Sequence, residues 1–152
     1  MDFITQSHYY RVMPMLLEGL VWTLLITGIG LIFGFILGAI FGFARLSKSK
    51  IIYGIATVYV EVVRGTPILA QILFIYFGLS DLMGVNIDKI TASIIAIAIN
   101  AGAYIAEIVR GAVYSIDKGQ EEAGRSIGLT RNQTMRYIIW PQAFRRMIPP
   151  LG

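Results

Sequence analysis

Long apolar runs separated by short polar stretches dominate this chain. Three such runs cover about residues 16–44, 51–79 and 90–114. The first and third are long enough to cross the roughly 30 Å hydrocarbon core of a bilayer, since a helix rises about 1.5 Å per residue. The second would be about 44 Å long as one straight helix, which exceeds that thickness. The pattern therefore predicts one all-α transmembrane domain with three spans.

A helix-breaking tetrapeptide interrupts the second run. Arg64, Gly65, Thr66 and Pro67 follow one another there. The residue before a proline is pushed out of helical geometry, and a glycine tolerates the bend that results. We therefore expect the second span to be bent at residues 64–67.

The two ends of the chain are less apolar than the spans. Residues 1–15 predict a short amphipathic lead at the membrane interface, where tyrosine is favoured. His8 is interpreted there as an interfacial polar residue rather than a metal ligand, because no partner is near it in sequence. The first run is too long for the apolar region of a signal peptide, so no cleaved leader is expected. Residues 147–152 are expected to begin a further span.

Glycines recur every four residues in the first run, which places them along one helix face. Small residues on such a face let a second membrane helix approach closely. That helix could belong to a second subunit or to the same chain, and we favour the same chain. The four helix-packing positions are Gly30, Gly34, Gly38 and Gly42.

The segment from 115 to 146 is the one long polar stretch, and residues 119–141 form its centre. We call residues 119–141 the hairpin, because their pattern predicts two short helices joined at Gly128. A left-handed glycine is expected at that junction. Pro141 is expected to limit how far the second helix continues unbroken.

Two capping boxes are predicted around the hairpin. Asp117 can cap the first helix, with Gln120 returning the hydrogen bond, and Thr130 can cap the second, with Gln133 in the matching place. The hairpin contains no metal-ligand spacing, no nucleophile–base pair and no phosphate-binding loop.

Composition and charge agree with a polytopic membrane protein and suggest its orientation. The 152 residues are 56% hydrophobic and 14% charged, and they contain no cysteine, which excludes disulfides. Lysine and arginine collect on the cytoplasmic side of membrane proteins. Residues 45–50 and 115–146 are therefore expected in the cytoplasm, and the N-terminus and the polar turn at 80–89 outside. Nothing in the basic pattern indicates nucleic-acid binding.

Three polar side chains share one face of the third span and are candidates for a substrate path. They are Asn100, Tyr104 and Glu107, spaced four and three residues apart. Asn100 and Tyr104 could hold the backbone of an amino acid, and Glu107 could hold a cationic group. The alternative is local: Glu107 pairs with Arg110, and Asn100 bonds a neighbouring helix.

Two residues of the second run are further path candidates, Glu61 and Gln71. Glu61 and Arg64 lie three residues apart on a helix. We expect these two side chains to pair, which lowers the cost of burying either one.

The hairpin resembles the signature loop of the membrane subunits of binding-protein-dependent ATP-binding cassette importers. The match consists of Glu122-Ala123-Gly124, three residues, Gly128, nine residues, and a segment ending at Pro141. Gly124 stands where that family has alanine and is expected to loosen the helix by about 1 kcal/mol; Trp140 replaces a leucine. The resemblance implies that the hairpin inserts into a cytoplasmic ATPase. The coupling candidates are Gly119, Glu121, Glu122, Ala123, Gly124, Gly128 and Pro141.

A second stretch, YVEVVRGTPILAQILFIYFGL, is similar to the polar amino acid branch of this importer family. The resemblance implies an amino acid permease of the cytoplasmic membrane, of which this chain is a part of a subunit with roughly five spans. It implies as partners an ATP-binding subunit, a second identical or related permease subunit, an external solute-binding protein and membrane lipid. It implies no enzyme activity and no cofactor or metal in this chain, with ATP and magnesium on the ATPase.

The substrate and the overall function leave alternatives open. Glu107 and Glu61 favour a basic amino acid, arginine or histidine, over glutamine or glutamate. A non-transporting scaffold that recruits a cytoplasmic partner is the second hypothesis, and it leaves the polar stripe unexplained. An intramembrane enzyme is the third, and no catalytic constellation in the sequence supports it.

Overall fold

The computed structural model describes the backbone of residues 2–151 and the side chains of residues 12–151, and within these ranges it contains helices and no strand. Four α-helices form the first half and centre of the chain: α1 (Asp2–Ala44), α2 (Lys50–Arg64), α3 (Ile68–Leu73) and α4 (Ser80–Met83), with the π-helical turn π1 (Phe74–Leu79) joining α3 to α4. The remaining elements are α5 (Lys89–Tyr114), α6 (Lys118–Ser126), α7 (Arg131–Thr134), the π-helical turn π2 (Met135–Ile139) and α8 (Trp140–Leu151).

Within the described part of the chain, two helices are long and apolar enough to cross a membrane. They are the part of α1 from Val12 to Ala44 and the whole of α5. The lead expected at residues 1–15 continues into the first span as one helix, because α1 begins at Asp2 and passes through Pro14 without ending. The prediction for the His8 side chain lies outside the described side chains.

The glycine face of α1 lies against α5 of the same chain. A Cβ atom built at any of the four glycines would come within 2.5–2.8 Å of an α5 side chain. Such distances are far inside van der Waals contact, so only glycine permits this approach. The facing pairs are Gly30–Ile97, Gly34–Ala101, Gly38–Ile105 and Gly42–Val109.

The second apolar run forms two helical segments with a sharp bend between them. Together α2 and the helical segment from Ile68 to Met83 meet at 105°. Backbone groups freed by the break find side-chain partners: Thr66 Oγ1 donates to the carbonyl of Val62 at 3.1 Å, and Gln71 Nε2 donates to the carbonyl of Val63 at 2.8 Å. These bonds hold α3 in a fixed direction relative to α2, as buried backbone groups need partners.

Residues of π2 and α8 pack on α5. Ile105, Val109, Ala112 and Ile116 form one buried cluster with Ile139, Ala143 and Met147. The Arg146 guanidinium also donates to the carbonyl and hydroxyl oxygens of Ser115. The C-terminal end of α5 and the segment from α6 to α8 therefore form one packed unit.

The expectation that Pro141 would interrupt the second hairpin helix is wrong. The chain stays helical from Arg131 to Leu151, and α8 includes Pro141. The turn π2 directly precedes Trp140. A π-turn widens the helix locally, which accommodates the proline ring and its missing N–H group. A new span was expected to begin at residue 147, but α8 passes through that position without a break.

Candidate functional site

One carboxylate gathers three arginines where α1, α2 and α5 meet. Glu107 on α5 accepts hydrogen bonds from Arg45, which follows α1, and from Arg110. Arg64, at the end of α2, lies 3.6 Å from the same carboxylate. Arg45 is 4% exposed and also lies 3.6 Å from Glu61. Glu107 therefore ties the ends of two other helices to α5, and we call these five residues the Glu107 cluster.

Two expectations for these acids are changed by the contacts. The predicted Glu61–Arg64 pair is wrong, because Glu61 pairs with Arg45 and Arg64 pairs with Glu107. Glu107 does pair with Arg110, which was the alternative to a role in substrate binding. Its charge is shared among three guanidinium groups, so the electrostatic reason to expect a cationic substrate at Glu107 is removed.

Sequence reasoning missed Arg45. It opens a basic stretch, Arg45 to Lys50, which reads as solvated charges flanking a span. In the structure its side chain is buried, and its acidic partners lie 16 and 62 residues further along the chain. No local pattern signals a pairing over that distance; an arginine directly after a glycine-rich packing helix is the one hint available.

The remaining path candidates lie close to the helix break. Asn100 donates to the Gln71 side-chain oxygen at 3.3 Å, as the neighbouring-helix alternative expected. The Arg64 guanidinium carbon lies 5.2 Å from the centre of the Tyr104 ring, which is a cation–π distance. Beside them, Gln71 lines a groove of about 480 Å³ whose walls are otherwise mostly apolar, such as Val63, Phe74 and Ile99. The five candidates Glu61, Gln71, Asn100, Tyr104 and Glu107 thus surround one bend, at Arg64–Gly65–Thr66–Pro67.

The hairpin has one of the two predicted capping boxes. Thr130 and Gln133 bond each other's backbone N–H groups, which confirms the second box. Asp117 caps α6 by accepting from the Gly119 N–H at 2.7 Å. Gln120 does not return that bond, because its side-chain oxygen accepts from Gln142 Nε2 on α8 at 3.1 Å. In place of the first box, the Gln120–Gln142 hydrogen bond joins α6, the first arm of the hairpin, to α8, which continues the second arm.

Two glycines shape the hairpin. Gly128 has φ = 89°, which confirms the left-handed junction. Gly124 is buried, and a Cβ there would lie 2.7 Å from Thr134 and 2.8 Å from Ile138. Gly124 thus has a packing role as well as its expected cost in helix propensity. Because it has no side chain, α6 can lie directly against Thr134 and Ile138, which belong to the second arm of the hairpin.

The outer side of α6 carries acidic and small residues. Glu121 lies 3.8 Å from Arg131, a weak pair within the hairpin. Glu122 and Ala123 are exposed, and Glu122 forms no ion pair with any side chain among residues 12–151. Gly119 and Pro141 are exposed as well. An exposed surface with a carboxylate that pairs with no side chain among residues 12–151 suits contact with another protein better than it suits chemistry.

Comparisons with known proteins agree on one family. The model of the inner membrane component of binding-protein-dependent transport systems matches residues 30–152. The glutamine transport system permease protein GlnP of Escherichia coli (strain K12) is 50% identical over 96% of this chain and 67% of its own length. The L-cystine transport system permease protein TcyB of Bacillus subtilis (strain 168) is 43% identical over 99% of this chain and 62% of its own length.

A solved structure shares the fold over the whole chain. It is the crystal structure of an amino acid ABC transporter with histidines, with a TM-score of 0.89 and 41% identity. The match covers 100% of this chain and 69% of that one. This chain therefore spans about two thirds of the length of the proteins it matches. With the hairpin motif, the bent second run and these matches together, the chain belongs to the family of inner membrane components of binding-protein-dependent transport systems, the permease subunits of ABC transporters.

Proposed function

We propose that this chain is the path-forming part of a permease subunit in an ATP-driven importer of polar amino acids. The observation that carries the proposal is the packing of the hairpin on α5, with Glu122 left exposed and unpaired. ATP and magnesium would be bound by a cytoplasmic ATPase that docks on this surface. A second identical or related permease subunit would complete the path, and an external solute-binding protein would deliver the substrate.

The contacts suggest how motion at the hairpin reaches the membrane. The hairpin and the end of α5 share the buried cluster around Val109 and Ile139, so they move together. Glu107 also lies on α5, eight residues before Ser115, and its carboxylate pairs with Arg45 and Arg64. A displacement of the hairpin would therefore shift α5 and, through Arg64, the helix break. Such a mechanism requires two discrete arrangements that the ATPase states favour differently.

The proposed orientation puts the hairpin and residues 45–50 in the cytoplasm and the N-terminus outside. Both basic segments lie at the same end of the α1–α5 pair, where the rings of Phe43 and Trp140 are 4.7 Å apart. Their shared position is what the positive-inside rule requires of two cytoplasmic segments.

We propose glutamine, or a polar amino acid like it, as the substrate. This revises the preference for a basic amino acid, which depended on free carboxylates near the path. Glu107 is occupied by three arginines, and Glu61 faces Arg45. The amide groups of Gln71 and Asn100 remain as polar groups at the bend. The 50% identity to a glutamine permease supports the same substrate class.

Uptake by the intact transporter in proteoliposomes tests both the transport function and the proposed substrate. We expect ATP-dependent accumulation of labelled glutamine, with unlabelled glutamine competing at least about tenfold better than arginine or histidine, a difference of about 1.4 kcal/mol. Better competition by arginine would contradict the substrate and leave the transport function standing. No ATP-dependent uptake of any amino acid would contradict the function and favour the scaffold hypothesis.

Glu122→Ala in the same vesicles tests the coupling role. We expect uptake to fall at least about tenfold, the loss for one buried charged contact in an interface. Asp81→Ala, which removes an exposed acid at the other end of the molecule, is the matched control and should leave uptake within about twofold. Normal uptake by Glu122→Ala would count against the docking surface.

A further inference from the structure

A pocket between the end of α1 and the second hairpin arm has the chemistry of a lipid site. It has a volume of about 410 Å³, and its lining consists of Phe43, Asn132, Met135, Arg136 and Trp140. Two of these side chains are aromatic and two are polar donors. Aromatic side chains of this kind gather where membrane proteins cross the headgroup region.

Arg136 gives the pocket an uncompensated positive charge. Its side chain is exposed and forms no ion pair with a carboxylate among residues 12–151. Its guanidinium carbon lies 5.9 Å from the centre of the Tyr137 ring, a contact that leaves the charge in place. Asn132, one helical turn earlier, is exposed on the same wall. Together they supply donors suited to a phosphate group.

An apolar stripe leads from this pocket along α1. Ile36, Ile40 and Phe43 are spaced four and three residues apart, so they share one face, and they are 52%, 56% and 50% exposed. The stripe therefore ends in the aromatic wall that Phe43 and Trp140 form beside the arginine. A basic group above an exposed apolar helix face matches the shape of one phospholipid, with its phosphate at Arg136 and an acyl chain along Ile40 and Ile36.

We propose that this pocket binds the headgroup of an anionic phospholipid from the cytoplasmic leaflet. Basic pockets beside membrane helices at that leaflet favour anionic headgroups, because each nearby basic residue attracts the negative surface. The bound lipid would join the end of α1 to the second arm of the hairpin. The assignment to the cytoplasmic leaflet rests on the orientation proposed above. The pocket is separate from the exposed side of α6, so a loss of lipid binding and a loss of transport can be told apart.

Trp140 reports on the site directly. The sequence has two tryptophans, and Trp22→Phe leaves Trp140 as the one tryptophan in residues 1–152. The probe is short-chain phosphatidylglycerol, titrated into the purified transporter in a neutral detergent, with phosphatidylcholine of the same chain length and inorganic phosphate as comparisons. The signal of the Trp22→Phe/Trp140→Phe variant is subtracted.

We expect a saturable change in Trp140 emission with phosphatidylglycerol and none with phosphate or phosphatidylcholine. Arg136→Gln should weaken the apparent affinity about fivefold, the effect of one basic charge near an anionic surface. Arg136→Lys, which keeps the charge, should stay within about twofold, as should the matched control Arg125→Gln on exposed α6.

Three outcomes would overturn the proposal. One is an equal response to phosphatidylcholine or to phosphate alone. The second is an equal loss in Arg136→Gln and Arg125→Gln, or in Arg136→Gln and Arg136→Lys. The third is an emission change that requires the ATPase subunit and not the lipid, which would assign the pocket to a protein partner.

Discussion

Replacing Glu107 by glutamine is expected to lower the free energy of unfolding by about 3 kcal/mol, the lower end for breaking a buried ion pair. Arg45 is 4% exposed, and Glu107 is its hydrogen-bonded acidic partner. An amide would leave that buried guanidinium with only the exposed carboxylate of Glu61, 3.6 Å away, and it would leave Arg64 and Arg110 without their acidic partner. The measurement is a denaturant titration of the purified protein in detergent, followed by circular dichroism.

Glu61→Gln is the matched control for this prediction. It removes the other carboxylate near Arg45, but Glu61 is 66% exposed and lies at 3.6 Å. An exposed pair contributes at most about 1 kcal/mol, so the loss should be small. Combining Glu107→Gln with Arg45→Met should recover part of the lost stability, because the buried charge is removed as well. Equal losses for Glu107→Gln and Glu61→Gln would contradict the central position of Glu107.

Gly38→Val is the second substitution with a large expected effect, again a loss of about 3 kcal/mol in unfolding free energy. A Cβ at Gly38 would lie 2.5 Å from both Cβ and Cγ2 of Ile105, so α1 and α5 would have to separate. Separation would remove contact along the whole glycine face, because the other three glycines depend on the same approach. The same denaturant titration measures it.

Gly28→Val provides the comparison within the same helix. Nothing lies within 4 Å of a Cβ built at Gly28. The substitution there should change stability by less than about 1 kcal/mol, the size of helix-propensity differences. If Gly28→Val lowered the unfolding free energy as much as Gly38→Val, the effect would come from replacing a helical glycine and not from the contact with α5.

The elements that local patterns determine could be predicted from sequence. Apolar runs predicted α1, α5 and the helices of the second run, and proline with glycine located the bend at 64–67. Thr130, Gln133 and Gly128 predicted the capping box and the turn of the hairpin, because caps and left-handed glycines depend on neighbours within four residues.

The contacts between distant segments could not be predicted in the same way. Glu107 was expected to face a substrate or Arg110, yet Arg45 and Arg64 also reach it from other helices. The pairing of Gln120 with Gln142 and the packing role of Gly124 also join segments that no periodicity relates. Pro141 was misjudged because a π-turn before it keeps the helix continuous, and propensity rules for α-helices do not anticipate that turn.

Cross-linking from the exposed side of α6 tests the central claim most directly, namely that the hairpin meets an ATPase in the cytoplasm. The 152 residues contain no cysteine, so Glu122→Cys introduces one reactive position into this segment, and Asp81→Cys provides a control at the other end. In the assembled transporter, a short thiol cross-linker should join Glu122→Cys to the ATPase subunit and leave Asp81→Cys unjoined. In sealed cells, a membrane-impermeant thiol reagent should label Asp81→Cys alone. Labelling of Glu122→Cys from outside, or no cross-link to the ATPase, would contradict the account.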